Sequence, residues 1–205
     1  RVAYTWFNRF CALRFMDVNG YNRVRVVSPS EGFIQPELLT EAKQGMLPEE
    51  WFTENPPALQ RVRGLLEGRT SSPSPEQEAY ALLLVAACNS LHKAMPYLFE
   101  AINDVTELLL PADLLSPNAV LTYVRDTLDT EACASVEVIG WLYQFYISEI
   151  KDKVMGAKSA VAQDDIPAVT QLFTPRWIVG YLVENSLGRL WLQNRPQSKL
   201  RGVMK

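Results

Sequence analysis

Apolar residues recur at helical spacing through most of this chain, and prolines and glycines interrupt that spacing at short intervals. The first stretch shows the pattern. Between Val2 and Val18 the apolar side chains fall at near-helical spacing, and Asn19-Gly20, a pair that tolerates the left-handed backbone, follows directly. We therefore predict a helix over residues 2–18 that stops at Gly20, and a mainly α fold for the chain as a whole.

The same signals predict the remaining elements. Arg23 to Val27 alternates arginine with valine, which favours a short strand. Residues 48–57 are predicted to be irregular, with Trp51 and Phe52 turned inward, and Ser116 is predicted to cap the helix that restarts at Pro117. The other predicted helices cover 36–44, 59–66, 76–95, 97–110, 131–158 with an interruption at Gly140, and 173 to about 192.

Composition excludes several classes of protein. Apolar residues make up 48% and charged residues 21% of the 205 residues, which are ordinary globular values. The net charge of −3 argues against a chain that binds nucleic acid by bulk charge. A membrane-spanning helix needs about 20 apolar residues, and the best apolar run, Ala79 to Cys88, is about half that length. We expect no membrane segment.

The cysteines and the histidine give little sign of metal or nucleophile chemistry. The three cysteines (Cys11, Cys88 and Cys133) lie far apart, and His92 is the only histidine. This pattern argues against a disulfide framework and a metal site and favours a reducing, cytoplasmic location. We expect His92 to lie at the edge of the core, because no nucleophile signature accompanies it.

Two groups of aromatic residues are predicted to be core rather than surfaces for base stacking. On the first helix, Arg9 and Arg14 fall roughly on the face opposite the aromatic residues, where they would meet a phosphate or an acidic neighbour. The two groups are Trp6, Phe7, Phe10 and Phe15 near the start, and Trp141, Tyr143, Phe145 and Tyr146 in the later helix.

Charge is distributed unevenly along the chain. Residues 100–165 contain 12 acidic and 4 basic residues, whereas residues 176–205 contain 6 basic and 1 acidic residue. The basic tail is either a solvated helix face, the more common outcome, or a set of phosphate contacts. Its candidate DNA-binding residues are Arg176, Arg189, Arg195, Lys199 and Arg201.

Phe173-Thr174-Pro175 is predicted to form the start of the last helix. Thr174 is predicted to cap the first turn with its hydroxyl, and Pro175 to occupy the first helical position. The free N–H groups and the positive end of the helix dipole would then suit a carboxylate. On these three residues alone, a well-capped helix with no ligand is the favoured interpretation, because Thr-Pro is common at helix starts.

The wider stretch QLFTPRWIVGYLVENSLGRLWL (171–192) resembles motif X of adenine-N6 DNA methyltransferases. The opening AYTWFNRFCALRFMDVNGY (3–21) resembles the start of the PglX-type methyltransferases of bacteriophage-exclusion (BREX) systems. Two shorter stretches, IGWLYQFYISEIKDK (139–153) and TELLLPADLL (106–115), are similar to the same proteins. The chain is more distantly similar to type I modification subunits and to fused restriction–methylation enzymes.

The resemblance implies a helical N-terminal domain over 1–165 and the start of a methyltransferase domain over 166–205. The sequence Thr-Ser-Ser-Pro-Ser-Pro at 70–75 makes that stretch a candidate linker. The chain contains no GxG sequence, and its one Asn-Pro-Pro sequence, Asn55-Pro56-Pro57, lacks the following aromatic that would stack on a flipped adenine. We interpret Asn55-Pro56-Pro57 as a loop. The resemblance therefore implies a Rossmann-like α/β catalytic domain outside this chain, and we expect the segment alone to be inactive.

Two hypotheses about function follow. The resemblance implies part of a phage-defence enzyme that transfers a methyl group from S-adenosyl-L-methionine to the N6 of adenine in double-stranded DNA. In such an enzyme Phe173, Thr174 and Pro175 would contact the cofactor, and other defence subunits would be candidate partners. The alternative is a stand-alone helical module that binds another defence-system subunit and has no cofactor site.

Overall fold

Helices account for most of the described chain, which confirms the predicted mainly α fold. The computed structural model describes residues 2–96, 98–102, 110–157 and 160–204. In these residues the only β-pairing is one isolated bridge, between Pro29 and Pro36. Contacts divide the chain into two compact units, Arg1–Ala134 and Ser135–Lys205. The candidate linker at 70–75 lies inside the first unit, and the predicted boundary at 165 lies inside the second.

The first helix confirms the prediction at both ends. Helix α1 covers Val2–Val18, and Gly20 follows it with φ of 68°. The N–H of Tyr21 donates to the carbonyl of Met16 at 2.9 Å, which satisfies one of the carbonyls left open at the helix end. Trp6 and Phe10 are buried as predicted, whereas Phe7 is 37% exposed and Phe15 is half-buried.

Helix α4 (Pro75–His92) is the centre of the first unit, and α2 (Glu37–Lys43) and α3 (Pro56–Leu66) precede it in the chain. Its apolar residues are buried on most sides, and Tyr80, Leu83 and Leu84 are fully inaccessible. Helices α2 and α3 and the 3₁₀ turn Glu49–Phe52 pack against it, and Phe52 is buried there as predicted while Trp51 is half-buried. Helix α5 (Val120–Thr127) comes later in this unit.

The predicted strand over 23–27 is wrong, and a buried carboxylate explains why. Asp17, at the end of α1, accepts the backbone N–H groups of three consecutive residues: Val26 at 2.9 Å, Val27 at 2.8 Å and Ser28 at 2.9 Å. Its Oδ1 also accepts from the Asn22 side chain at 3.0 Å. These amides would otherwise pair with a neighbouring strand. The alternating arginine and valine residues therefore form a loop wrapped around Asp17.

Several helix boundaries in the first unit differ from the prediction. Of the helix predicted over 97–110, residues 97 and 103–109 lie outside the described residues, and the described stretch 98–102 is irregular. The helix predicted from Pro117 begins at Val120, because Ser116 instead accepts the N–H of Asn118 in a turn at 3.3 Å. Asn55-Pro56-Pro57 is not a loop: the Asn55 side chain accepts the N–H of Ala58 at the start of α3.

The second unit begins with a long helix and continues in short ones. Helix α6 (Glu137–Gly156) starts six residues later than predicted, and Gly140 continues the helix rather than interrupting it. After the 3₁₀ turn Gln163–Asp165 come α7 (Ile166–Thr170), α8 (Arg176–Val183), a π-helical segment (Glu184–Gly188) and α9 (Arg189–Asn194). The helix predicted over 173–192 is therefore present, beginning three residues later and with a π-helical turn within it.

Replacement of Asp17 by asparagine should lower the free energy of unfolding by about 2–3 kcal/mol. An amide has a single acceptor oxygen, so it cannot satisfy three backbone N–H groups and the Asn22 side chain together. Urea denaturation of the variant measures the loss. The matched control is Asp126→Asn, since Asp126 is exposed. Equal stability of the two variants would contradict the role given to Asp17.

Candidate functional site

The predicted cofactor residues lie in an extended segment between α7 and α8. Phe173 is half-buried, while Thr174 and Pro175 are exposed. The segment therefore presents two of its three candidate residues to solvent and holds the third inward. Its placement depends on packing, a side-chain hydrogen bond and a cap, all provided by α6.

The packing is that of Phe173 on Gly140. A Cβ atom built on Gly140 would overlap the edge of the Phe173 ring. Because any side chain larger than hydrogen at position 140 would displace the ring, the glycine fixes how closely Phe173 approaches α6. Sequence reasoning took Gly140 for a helix breaker and missed this role.

The hydrogen bond joins two side chains. The Tyr143 hydroxyl donates to the side-chain oxygen of Gln171, two residues before Phe173. Tyr143 lies about one helical turn after Gly140, so both interactions come from the same face of α6. Together they hold residues 171–173 along that helix.

The cap lies at the start of α8 and corrects the prediction made for Thr174. Pro175, with φ of −53° and ψ of 141°, is the N-cap residue, and Arg176 is the first helical residue. Among the described residues, no side chain of the segment itself caps this helix, so the Thr174 hydroxyl does not take the predicted role. Glu137 takes it instead: the N–H of Arg176 donates to Glu137 Oε1 at 2.7 Å.

A carboxylate thus lies where the helix dipole and an open N–H group favour an anion. The predicted chemistry of this helix start is therefore present, but the carboxylate belongs to α6 of the same unit. Glu137 was not singled out in the sequence, because it precedes Arg176 by 39 residues and only the fold brings them together.

Glu137, Arg176 N–H and the Phe173 ring form a combination that suits an amino-acid-like group. Such a group needs an acceptor for its ammonium, donors for its carboxylate and an apolar surface for its chain. Thr174, exposed beside them, adds a hydroxyl that both donates and accepts. The resemblance implies such a group at the methionine end of S-adenosyl-L-methionine, but the Arg176 N–H that would bind its carboxylate is occupied by Glu137 in this structure.

All five candidate DNA-binding residues of the basic tail are exposed. The Arg195 guanidinium lies over the Trp191 ring, 4.8 Å from its centroid, and the indole Nε1–H of Trp191 donates to Ser198 Oγ at 3.0 Å. None of the five takes part in an ion pair among the described residues. In this part of the chain, neighbouring carboxylates therefore do not neutralise their charges.

The later aromatic group is not core, contrary to the prediction. Trp141 is 52% exposed, Tyr143 is 45% exposed and Phe145 is 84% exposed; the side chain of Tyr146 lies outside the described part of the structure. Helices α8 and α9 contain no buried residue, and Trp177 is 74% exposed. A surface with this much apolar area is typical of a face that packs against another part of a protein or a partner.

Other candidate groups have structural roles. Burial raises the pKa of Cys11 to about 12, with Cys133 acting in the same direction, and burial raises the pKa of Cys88 to about 12. Thiols that stay protonated at neutral pH are poor nucleophiles. His92 Nδ1 lies 2.7 Å from the Phe99 carbonyl, so the histidine ring has a hydrogen-bond partner within the fold.

Two further features are absent from the described residues. No group of three or more histidine, cysteine, aspartate or glutamate side chains is placed there to hold a metal ion. No helix in this part of the chain combines the length and apolar character needed to cross a bilayer.

Comparison with known proteins finds similarity to adenine-specific methyltransferases. The chain is 46% identical over 207 residues to the adenine-specific methyltransferase BrxX of Escherichia coli O9:H4 (strain HS), a match covering 98% of the chain. It is 40% identical over 197 residues to the adenine-specific methyltransferase PglX of Lacticaseibacillus casei (strain Zhang), covering 94% of the chain. The chain is homologous to part of the PglX-type adenine-specific methyltransferases.

The match confirms the resemblance to PglX-type proteins and defines its extent. The chain spans 16% of the length of each of these curated relatives. No protein-family model matches it. A match over this share of each relative does not show that the chain itself has the methyltransferase activity.

Replacement of Gly140 by alanine should displace Phe173 and lower the free energy of unfolding by about 1–3 kcal/mol. The added methyl group would occupy space that the ring now fills. Urea denaturation measures the loss. Gly156→Ala, in the same helix, is the control, because a Cβ there meets nothing within 4 Å. Equal stability of the two variants would contradict close packing of Phe173 against Gly140.

Proposed function

We propose that the full-length protein is an S-adenosyl-L-methionine-dependent adenine-N6 DNA methyltransferase of a phage-defence system, and that this chain is its helical N-terminal portion. The observation that carries the proposal is the 46% identity to an adenine-specific methyltransferase over 98% of the chain. Double-stranded DNA is the proposed substrate, and a cytoplasmic location follows from that substrate.

The Phe173–Pro175 turn is the proposed contribution of this chain to the cofactor site. Phe173 would pack on the methionine end of the cofactor, and Thr174 with the Arg176 N–H would hold its carboxylate. Pro175 fixes the backbone that presents them. S-adenosyl-L-methionine supplies the methyl group, and its positive sulfonium makes that group an electrophile.

Glu137 is proposed to bind the ammonium group of the cofactor. In the structure its carboxylate occupies the Arg176 N–H. A ligand carboxylate at that N–H would displace Glu137 by a short distance, which would free its carboxylate to accept from the ligand's ammonium. Glu137 is therefore proposed as part of the cofactor site, although sequence reasoning did not include it.

Methyl transfer itself is proposed to need residues outside this chain. The chain contains no GxG sequence whose backbone could approach the cofactor. Asn55 caps α3, and Pro56 and Pro57 begin that helix, so these residues are not proposed to bind a flipped adenine. The proposal therefore predicts that the chain alone transfers no methyl groups. The basic tail is proposed to contact DNA phosphates through Arg176, Arg189, Arg195, Lys199 and Arg201.

A second candidate function is binding to another protein subunit of the same defence system. It is favoured by the exposed apolar side chains of the second unit, among them Phe145 and Trp177. Under the main proposal the same surface packs against the rest of the methyltransferase. Cofactor binding separates the two functions, because a stand-alone interaction module needs no cofactor.

Phe173→Ala in the full-length protein should weaken S-adenosyl-L-methionine binding by about tenfold, because the cofactor loses an apolar surface worth about 1.5–3 kcal/mol when fully buried. Isothermal titration calorimetry measures the dissociation constant. Leu172→Ala is the matched control, since Leu172 is adjacent and 70% exposed. Unchanged affinity in Phe173→Ala would remove this turn from the cofactor site, and absence of binding to the unmodified protein would refute the proposed function.

A further inference from the structure

Three arginines from separate segments line one cleft in the first unit. Arg14 comes from α1, Arg25 from the loop around Asp17, and Arg125 from α5, and residues 29–34 complete the walls. Arg14 and Arg125 are half-buried and Arg25 is exposed. We call this feature the arginine cleft.

Each of these arginines donates to uncharged oxygen atoms. Arg14 donates to the Leu128 carbonyl at 2.8 Å and to Ser28 Oγ at 2.8 Å. Arg25 donates to the Pro29 carbonyl at 3.1 Å. Arg125 donates to the Ile34 carbonyl at 3.3 Å and to Thr122 Oγ1 at 3.1 Å. These bonds orient the guanidinium groups but do not neutralise their charge.

Five other cations of the first unit behave differently. Each of the five forms an ion pair with a glutamate, whereas no ion pair among the described residues includes an arginine of the cleft. The paired cations are Lys43, Arg61, Arg63, Arg69 and Lys93. Arg9 and Arg23 of this unit also form no ion pair among the described residues, so what distinguishes the cleft is that three unpaired arginines line one feature.

The carboxylates near the cleft compensate for the three charges only in part, and none of them forms an ion pair with an arginine of the cleft among the described residues. Asp17 is committed to the amides of residues 26–28. Glu31 and Asp126 also line the cleft but form no ion pair with its arginines among the described residues. Burial lowers the pKa of Arg14, and although Cys133 and Asp17 oppose this, the charges of Arg125 and Arg25 act in the same direction as burial.

The chemistry of such a cleft favours an oxyanion. A guanidinium group presents its N–H donors in a planar fork that matches the oxygens of a phosphate, and it is always charged. Arg14 is held by bonds to two fixed acceptors, so little side-chain freedom remains to be lost on binding. A phosphate group would also relieve the repulsion among the three arginines.

We propose that the arginine cleft binds a phosphate group of the DNA backbone, and this rests on the proposed function because that function supplies DNA as the ligand. The site belongs to the first unit and shares no residue with the basic tail, which belongs to the second. It positions the helical portion on the duplex without reading sequence.

Binding of a labelled DNA duplex to the full-length protein, followed by fluorescence anisotropy over a range of salt concentrations, tests this proposal. Arg25→Gln/Arg125→Gln should bind the duplex about tenfold more weakly at low salt, and the slope of log affinity against log salt should fall by about 0.9 for each phosphate that is no longer neutralised. Arg25→Gln alone should show part of the effect, and because Arg25 is exposed this variant keeps the fold.

Arg69→Gln is the matched control, because Arg69 is an exposed arginine of the same unit that pairs with Glu67 outside the cleft. It should leave affinity and slope unchanged. The proposal is overturned if the cleft variants bind the duplex as tightly as the unmodified protein, or if Arg69→Gln weakens binding as much as they do.

Thermal unfolding with added inorganic phosphate distinguishes a site for a DNA phosphate from a site for a free phosphate ion. Inorganic phosphate alone should raise the unfolding temperature of the unmodified protein little, because the proposed ligand is one phosphate of a longer backbone. A large increase that the cleft variants abolish, with DNA binding intact, would identify a free-phosphate site and overturn the proposal. No duplex binding by the unmodified protein would instead refute the proposed function itself.

Discussion

The buried carboxylate of Asp17 organises the first unit. It accepts three consecutive backbone amides and so closes the loop after α1 onto the end of that helix. The same loop segment accepts the Tyr80 hydroxyl through the Val26 carbonyl at 3.1 Å, which ties it to the central helix α4. The loop also carries Arg25 and Ser28, so the geometry of the arginine cleft depends on this one carboxylate.

The second unit uses α6 as the support for the candidate cofactor turn. Gly140 admits the Phe173 ring, and Glu137 occupies the first N–H of α8. The start of α8 already binds a carboxylate of the same unit, so an anionic ligand would have to displace Glu137 to reach the Arg176 N–H. The exposed apolar residues of α8 and α9 leave this unit with a surface suited to packing against another part of a protein or a partner.

Sequence patterns predicted the elements whose signals are local. The bounds of α1 followed from apolar spacing and from Gly20, whose positive φ only a few residue types tolerate. Patterns failed where a distant residue decides the outcome. Asp17 turns an apparent strand into a loop, and Glu137 replaces Thr174 at the start of α8. The exposure of Trp141 was missed because apolar periodicity does not say whether the covering surface lies within the same chain.

The central claim is that the Phe173–Pro175 turn belongs to a cofactor site, and hydrogen–deuterium exchange of the full-length protein tests it most directly. Addition of S-adenosyl-L-methionine should slow exchange at the amides of Phe173 and Thr174, because a bound ligand covers this segment; the Arg176 amide is already bonded to Glu137 and is not a probe. If the cofactor slows exchange elsewhere in the protein and leaves these amides unchanged, the claim is contradicted.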